Sequence, residues 1–260
     1  MSFAVLLGLT ALIHMIDTLS YSVRLGGIRT RQLALALSLF NSIALISRTA
    51  NTLQAPLVGR LVGANLGKPD VLAEEIRVVI ASASAGTLLG IIFTPTFLSL
   101  FVRAIRALAK RGSIPMFLFE CMAPAKLRSI SRSIRLPDRS LIARLKPDGV
   151  PTALIFLNVV ITAIYTTGVL SAAYAAALVP PSKSIAASLS SGLVNGVATV
   201  LFTVLVDPKA AVITDQAMRG EIEIRVADTL VAYLIGSKLV GTLLAQLVFI
   251  PAAWMIARVV

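Results

Sequence analysis

Residues Thr10 to Pro56 read TALIHMIDTLSYSVRLGGIRTRQLALALSLFNSIALISRTANTLQAP, and this stretch decides the fold. It consists of two long apolar runs, and each run is interrupted by ionisable and amide side chains. In the first run, intervals of three or four residues place one set of polar groups on a single helical face: His14, Asp17, Tyr21 and Arg24. Ionisable side chains at membrane depth are costly, so they usually point into a protein-lined or water-filled cavity.

The second run carries a similar polar face. Its members are Ser38, Asn41, Arg48 and Thr52, with Asn51 and Gln54 close beside them. Arg48 lies deeper in its run than Arg24 does, so it is the harder of the two to explain as a side chain that reaches the membrane surface. Near the end of the chain, Lys238 is a further cation inside an apolar run.

The composition is that of an integral membrane protein. Of 260 residues, 57% are hydrophobic and 14% are charged, whereas a soluble domain is typically about 45–50% apolar and about 25% charged. The mean hydropathy is +0.89. The length allows about six spanning helices at roughly 20 residues each. Cys121 is the single cysteine, which excludes an internal disulfide.

The apolar runs predict an all-α fold, a polytopic bundle of about six transmembrane helices. The predicted spans are 3–23, 32–53, 76–102, 150–179, 184–206 and 229–256. Leu25 to Ile28 is predicted to form a short turn, and Pro56 is predicted to end the second span. Residues 59–77 and 207–228 are predicted loops, with a turn and a helix start at Gly67 to Asp70. The N-terminus has no basic region before its apolar run, so we interpret it as a retained span.

The whole chain, residues 1–260, is predicted to form one membrane domain. It divides into a three-span half at 1–102, a basic cytoplasmic loop at 103–149 and a second three-span half at 150–260. A shift of 154 residues places Asn41 on Asn195 in a faint internal repeat. With three spans each, the two halves would have opposite orientations in the membrane, which is the inverted-repeat plan of many transporters.

The basic loop contains 11 of the Lys and Arg residues. Its simplest interpretation is a determinant of topology that contacts anionic membrane lipids. The piece Ala125 to Arg144 is a candidate amphipathic helix on the membrane surface. No aromatic residues alternate with the cations there, so the sequence does not favour a nucleic-acid partner.

Enzyme motifs are missing from the sequence. One histidine and one cysteine are too few for a His/Cys metal cluster, and no phosphate-binding loop of the form GxxxxGK[ST] occurs. We therefore expect a protein that is not an enzyme and that uses neither a metal nor a cofactor.

Several strings resemble the Amj family of bacterial membrane proteins, the alternate lipid II flippases. They are DTLSYSVRLGGIRT, SLFN, SRTANTLQAPLVG, GVLSAAYAAALVPPSKS and SGLVNGVATVLFTVLVDP. The resemblance covers most of the chain. It implies a protein of the bacterial cytoplasmic membrane that moves lipid II, the undecaprenyl-pyrophosphate-linked peptidoglycan precursor, from the inner to the outer leaflet for cell-wall synthesis.

The polar residues fit such a substrate. A pyrophosphate that crosses the membrane must exchange its hydration for fixed cations, and an arginine donates two hydrogen bonds to phosphate. We expect a polar, net cationic cavity at the centre of the bundle, lined by His14, Asp17, Tyr21, Arg24, Asn41, Arg48, Asn51, Gln54 and Lys238. In it, Arg24, Arg48 and Lys238 would bind phosphate, the amides and Tyr21 would bind sugars, and Asp17 and His14 would respond to pH or ion gradients.

Two other classes of function stay open at this point. A membrane enzyme that acts on a polyprenyl-linked lipid would need a nucleophile or metal site, and none is visible. A scaffold that recruits cell-wall enzymes through the basic loop would leave the intramembrane charges unexplained. The sequence is compatible with a homo-oligomer and with partners among the cell-wall synthesis proteins.

The charge distribution predicts the orientation of the chain. If the long basic loop is cytoplasmic, the cytoplasmic loops hold 17 of the 24 Lys and Arg residues and the outer segments hold five. Both termini should then face outward. A tag placed after Val260 should react with a membrane-impermeant reagent in intact cells. Reactivity only after the cytoplasmic side is opened would reverse this orientation.

Overall fold

The computed structural model describes residues 3–65, 67–112 and 149–260, and this part of the chain is almost entirely helical, with no strand. The helices are α1 (Phe3–Ser20), α2 (Ser22–Thr30), α3 (Leu33–Ala64), α4 (Pro69–Arg111), α5 (Thr152–Leu178), α6 (Pro181–Leu201), a π-helical turn (Phe202–Val206), α7 (Asp207–Arg219) and α8 (Ile224–Val259). They form six segments that are long and apolar enough to cross a membrane. The predicted all-α polytopic fold is confirmed.

The predicted turn at Leu25 to Ile28 is wrong, because these residues lie inside α2. Its two glycines serve close packing instead of chain reversal. A Cβ atom on Gly27 would lie 2.6 Å from the Cβ of Ala36 in α3, and one on Gly26 would lie 3.0 Å from Ile105 in α4. Small residues at such contacts let membrane helices approach each other closely.

The predicted end of the second span is also wrong, because α3 continues through Pro56 to Ala64. Proline is tolerated in membrane helices, where neighbouring groups satisfy the carbonyl that it frees. The predicted loop at 59–77 therefore shrinks to a short connection. The turn before Asp70 is confirmed: Gly67 has φ +77° and Pro69 is the first residue of α4.

Helix α4 is longer than the predicted third span. It passes through Pro95 and ends at Arg111, followed by Gly112 in the left-handed conformation. The first residues of the predicted basic loop, from Arg103 onward, are thus helical. The remainder of that loop, including the candidate amphipathic helix at 125–144, lies outside the described residues.

The loop predicted at 207–228 is wrong for most of its length. The fifth span runs through the π-helical turn into α7, and only residues 220–223 separate α7 from α8. Pro208 follows the π-helical turn inside this continuous helix, and proline is tolerated in a membrane helix where neighbouring groups satisfy the carbonyl that it leaves without a donor. Asp207 is thereby fixed on a helix within the bundle.

Each half of the bundle is built around its first helix. Helix α1 packs against α4 and α3, and α5 packs against α8 and α6. Both main contacts need glycine: a Cβ on Gly86 of α4 would overlap the Ala11 carbonyl of α1, and one on Gly241 of α8 would lie 2.6 Å from the Cβ of Thr162 in α5. The same packing plan in both halves supports the inverted repeat, which stays a prediction.

Helix α6 is the most exposed helix of the bundle. Ala187 and Ala198 are its only buried residues, and Ile185, Leu189 and Leu193 are each more than 70% exposed. In a membrane this apolar surface faces lipid. Helix α6 rests on α5 and makes little contact with α3.

The contact of Gly86 with α1 can be tested by Gly86→Ala. The added methyl group must displace the backbone of α1, and overpacking of this kind typically costs about 1–3 kcal/mol. The matched control is Gly192→Ala in α6, where a Cβ meets nothing within 4 Å. Thermal unfolding in detergent should show a lower midpoint for Gly86→Ala and an unchanged or higher one for the control. Equal midpoints would contradict the close contact.

Candidate functional site

A small polar cavity lies at the centre of the bundle. Helix α1 contributes His14, Asp17 and Tyr21, α3 contributes Arg48, and α8 contributes Lys238. These are five of the nine residues that the sequence predicted for a common cavity. The volume is ≈ 40 Å³, which is room for only a few water molecules.

Asp17 and Lys238 form a buried ion pair across the cavity. The ammonium group of Lys238 donates a hydrogen bond to Asp17 Oδ2, and it lies 5.3 Å from the centroid of the Tyr21 ring. Lys238 is 5% exposed. Removing one partner of such a pair strands a buried charge, which is far more costly than removing both. This pair also joins the first half of the chain to the second.

Arg48 is the cation of the cavity that is left without a carboxylate. Within residues 3–65, 67–112 and 149–260, no ion pair involves it. Its guanidinium lies 5.7 Å from the centroid of the Phe202 ring in the π-helical turn. An arginine in this position has hydrogen-bond donors available for an anion.

Asn158 of α5 fixes the position of Tyr21. Its amide nitrogen donates to the Leu234 carbonyl at 3.0 Å and to Ser237 Oγ at 2.8 Å. The Tyr21 hydroxyl in turn donates to Asn158 Oδ1 at 3.3 Å. Sequence reasoning missed Asn158, although a lone amide inside an apolar span was a signal of the same kind as Asn41.

Arg24 forms a second buried ion pair behind the cavity. It donates through Nη2 to Asp207 Oδ1 at the start of α7, and its guanidinium lies 4.5 Å from the centroid of the Phe40 ring. Phe40 lines the cavity, whereas Arg24 does not. Sequence reasoning missed Asp207 because it placed this residue in a loop. The signal was an aspartate at the end of an apolar run.

The three predicted amide ligands lie elsewhere. Gln54 is buried and donates to Thr10 Oγ1 at 2.7 Å, which ties α3 to α1. Asn51 is buried without lining the cavity, and Asn41 is exposed. Asn41 follows Phe40 directly, so it points about 100° further round the helix from the cavity-lining ring. Spacing alone could not separate the two directions.

The cavity has the composition of an anion site with neutral hydrogen-bonding walls. Besides its charged groups it contains Asn158, Thr162, Tyr165 and Thr199. In the described part of the chain, no group of three His, Cys, Asp and Glu residues could hold a metal ion.

Comparison with known proteins places this architecture in a family. The model of the family described as "Amj: Alternate to MurJ" matches residues 9–260. The chain belongs to the Amj family. The resemblance seen in the sequence is thereby confirmed, and it extends over both halves and every residue of the cavity.

A curated relative in the Amj family is the protein named "Lipid II flippase Amj" from Bacillus subtilis (strain 168). The two are 40% identical over 248 residues, which cover 95% of this chain and 92% of the relative. No solved structure matches the chain. Together with six helices able to span a membrane, these findings identify a multi-pass protein of the bacterial cytoplasmic membrane.

The Asp17–Lys238 pair predicts a strong energetic coupling between its two residues. Asp17→Asn or Lys238→Met alone strands a buried charge and should lower the free energy of unfolding by about 3–5 kcal/mol. The double variant removes both charges and should lose much less than the sum. The coupling is obtained from the free energies of unfolding of the purified parent and of the three variants. Additive losses would show that the two side chains do not pair.

Proposed function

We propose that this Amj-family protein moves lipid II from the inner to the outer leaflet of the bacterial cytoplasmic membrane and so supplies cell-wall synthesis. The observation that carries the proposal is the 40% identity to a protein named lipid II flippase, over 95% of the chain. The cationic cavity within the spans supports it, because lipid II carries a pyrophosphate.

Arg48 is the first ligand that we assign to the pyrophosphate. It has no carboxylate partner in the described part of the chain, and its planar guanidinium can donate two parallel hydrogen bonds to phosphate oxygens. Lys238 provides a second positive charge on the same cavity while it remains next to Asp17. Two fixed cations replace part of the hydration that the pyrophosphate loses inside the membrane.

The sugars of lipid II would meet the neutral polar wall of the cavity. Asn158, Thr162 and Tyr165 from α5 present amide and hydroxyl groups there. We assign sugar contacts to this wall, in place of the amides of Asn41, Asn51 and Gln54. His14 and Tyr21 belong to the same lining, where the Tyr21 hydroxyl donates to Asn158 Oδ1.

Transport of this kind needs no bond to be made or broken. We therefore propose a flippase without enzymatic activity. It binds the headgroup of lipid II from one side of the membrane and releases it on the other. The basic residues of 103–149 would meanwhile contact the anionic lipids of the cytoplasmic leaflet.

Arg48→Ala and Arg48→Lys test the phosphate ligand. Alanine should abolish complementation in cells that depend on this protein as their flippase, because the uncommitted guanidinium is lost. Lysine keeps the charge without the planar fork, so it should restore only part of the growth. The matched control is Arg60→Ala, which removes an exposed arginine from the same helix and should complement fully.

The level of each variant in the membrane must be measured beside growth. Full complementation by Arg48→Ala would reject Arg48 as a substrate ligand. Loss of the folded protein, with a normal level of Arg60→Ala, would assign Arg48 to the stability of the bundle.

A further inference from the structure

The guanidinium of Arg24 has hydrogen-bond donors that its ion pair with Asp207 leaves unused. Arg24 is 1% exposed and gives only Nη2 to Asp207. Its Nε and Nη1 atoms are buried and have no hydrogen-bond partner in the described part of the chain. Buried donors are nearly always satisfied, and those that are not often mark a functional site. Two unmet donors on one buried guanidinium indicate that Arg24 has unused capacity to bind a further anionic oxygen.

Arg24 lies at a different depth from the cavity. Arg24 lies six positions before Thr30, the last residue of α2, which is a distance of about 9 Å along a helix. Arg48 is 15 residues into α3 and Lys238 is 14 residues into α8, or about 22 and 21 Å from those helix ends. All three ends lie on the side where the charge distribution places the cytoplasm. Arg24 therefore precedes the cavity on a path that starts at the inner leaflet.

One group of aromatic rings contacts both arginines. Tyr21 packs edge-on against Phe40, with ring centroids 5.9 Å apart, and against Phe202 at 6.4 Å. The guanidinium of Arg24 lies over the Phe40 ring, and that of Arg48 lies over the Phe202 ring. The three rings therefore link the site at Arg24 to the cavity at Arg48.

Asp207 and Phe202 belong to the same part of the fifth span. They lie at the two ends of the π-helical turn that joins α6 to α7, and π-helical turns are frequent at functional sites. Helix α6 is barely buried and makes little contact with α3. The contacts of Phe202 and the ion pair of Asp207 therefore tie the end of α6 to the first half of the chain.

We propose that Arg24 is a phosphate-binding station that Asp207 occupies in the empty protein. A phosphate group that displaces Asp207 frees the π-helical turn, and α6 then moves away from α3 and opens the cavity sideways to the bilayer. The ligand class is the pyrophosphate of a polyprenyl-linked lipid, and in this respect the inference rests on the proposed function. The polyprenyl tail would stay in the membrane, between α3 and α6 once these helices have moved apart.

The exchange is balanced in charge. One anionic oxygen replaces another on the same guanidinium, so Arg24 is never left buried without a counter-charge. Asp207 is 26% exposed whereas Arg24 is 1% exposed. The released carboxylate can therefore regain water, while Arg24 stays where the phosphate meets it.

Cross-linking between α3 and α6 tests whether these two helices move apart. Ala44 of α3 and Thr199 of α6 both line the cavity. Each is replaced by cysteine in a Cys121→Ala background, and the two cysteines are then joined by a short bis-maleimide. The purified protein should cross-link well when empty, and lipid II should lower the yield at least about threefold by populating the open state. Inorganic pyrophosphate and vesicles of phosphatidylglycerol are the other two ligands to be tested.

A second cysteine pair serves as the control. Asn65 donates to Glu75 Oε2 at 2.6 Å across the connection between α3 and α4, which stays closed in the proposed movement. Cross-linking of cysteines at these two positions should not respond to lipid II.

Variants of the pair separate this role from a purely structural one. Asp207→Asn should cross-link poorly between residues 44 and 199 without any ligand, and it should bind lipid II about tenfold more tightly because no internal anion competes. Asp207→Glu keeps the charge and should respond to lipid II as the parent does. The double variant Arg24→Gln, Asp207→Asn should accumulate in the membrane and still transport less than a tenth as fast as the parent.

The outcomes distinguish this inference from the proposed function. A parent protein that moves no lipid II in proteoliposomes refutes the flippase itself. A parent that moves lipid II with unchanged cross-linking, or with a response to phosphatidylglycerol alone, overturns the station at Arg24. A response to inorganic pyrophosphate as well as lipid II supports it. Normal transport by the double variant, or failure of both Asp207→Asn and the double variant to accumulate, assigns the pair to folding and overturns the proposal.

Discussion

Two buried ion pairs connect the halves of this bundle, and the rest of the structure depends on them. Asp17 of the first half accepts from Lys238 of the second, and Asp207 of the second half accepts from Arg24 of the first. Each half thus supplies one acid and one base to the other. Charges in the interior of a membrane protein persist when they are paired. Because the partners come from different halves, a movement of one half against the other must break or exchange at least one pair.

The type and number of helices could be predicted from the sequence, because apolar runs of about 20 residues have few alternatives in a membrane. Their ends could not. Pro56 and the pair Gly26 and Gly27 were interpreted with the rules for soluble proteins, in which proline and glycine interrupt helices. In this bundle Pro56 lies inside α3 and the glycines allow close contacts between helices.

The charged residues of the cavity could be predicted because ionisable side chains within an apolar helix usually face a protein-lined or water-filled cavity. Spacing placed Asp17 on the correct face of α1, and depth indicated Arg48 and Lys238. Two things could not be predicted. Asn41 lies one residue after the cavity-lining Phe40, and spacing alone does not show which of the two side chains faces the cavity. The role of Asp207 depends on a π-helical turn that carries the fifth span beyond its apolar run.

The order of synthesis gives these pairs a further consequence. Asp17 and Lys238 are 221 residues apart in the chain, and Arg24 and Asp207 are 183 apart. Chains grow at about 5–20 residues per second, so α1 and α2 exist for roughly 10–40 seconds before their partners are made. During that interval Asp17 and Arg24 carry unmatched charges, and a helix with such charges favours the interface or a protein neighbour over the lipid core. The two ion pairs therefore form only after the second half of the chain has been made, so they are among the last contacts of the bundle to be completed.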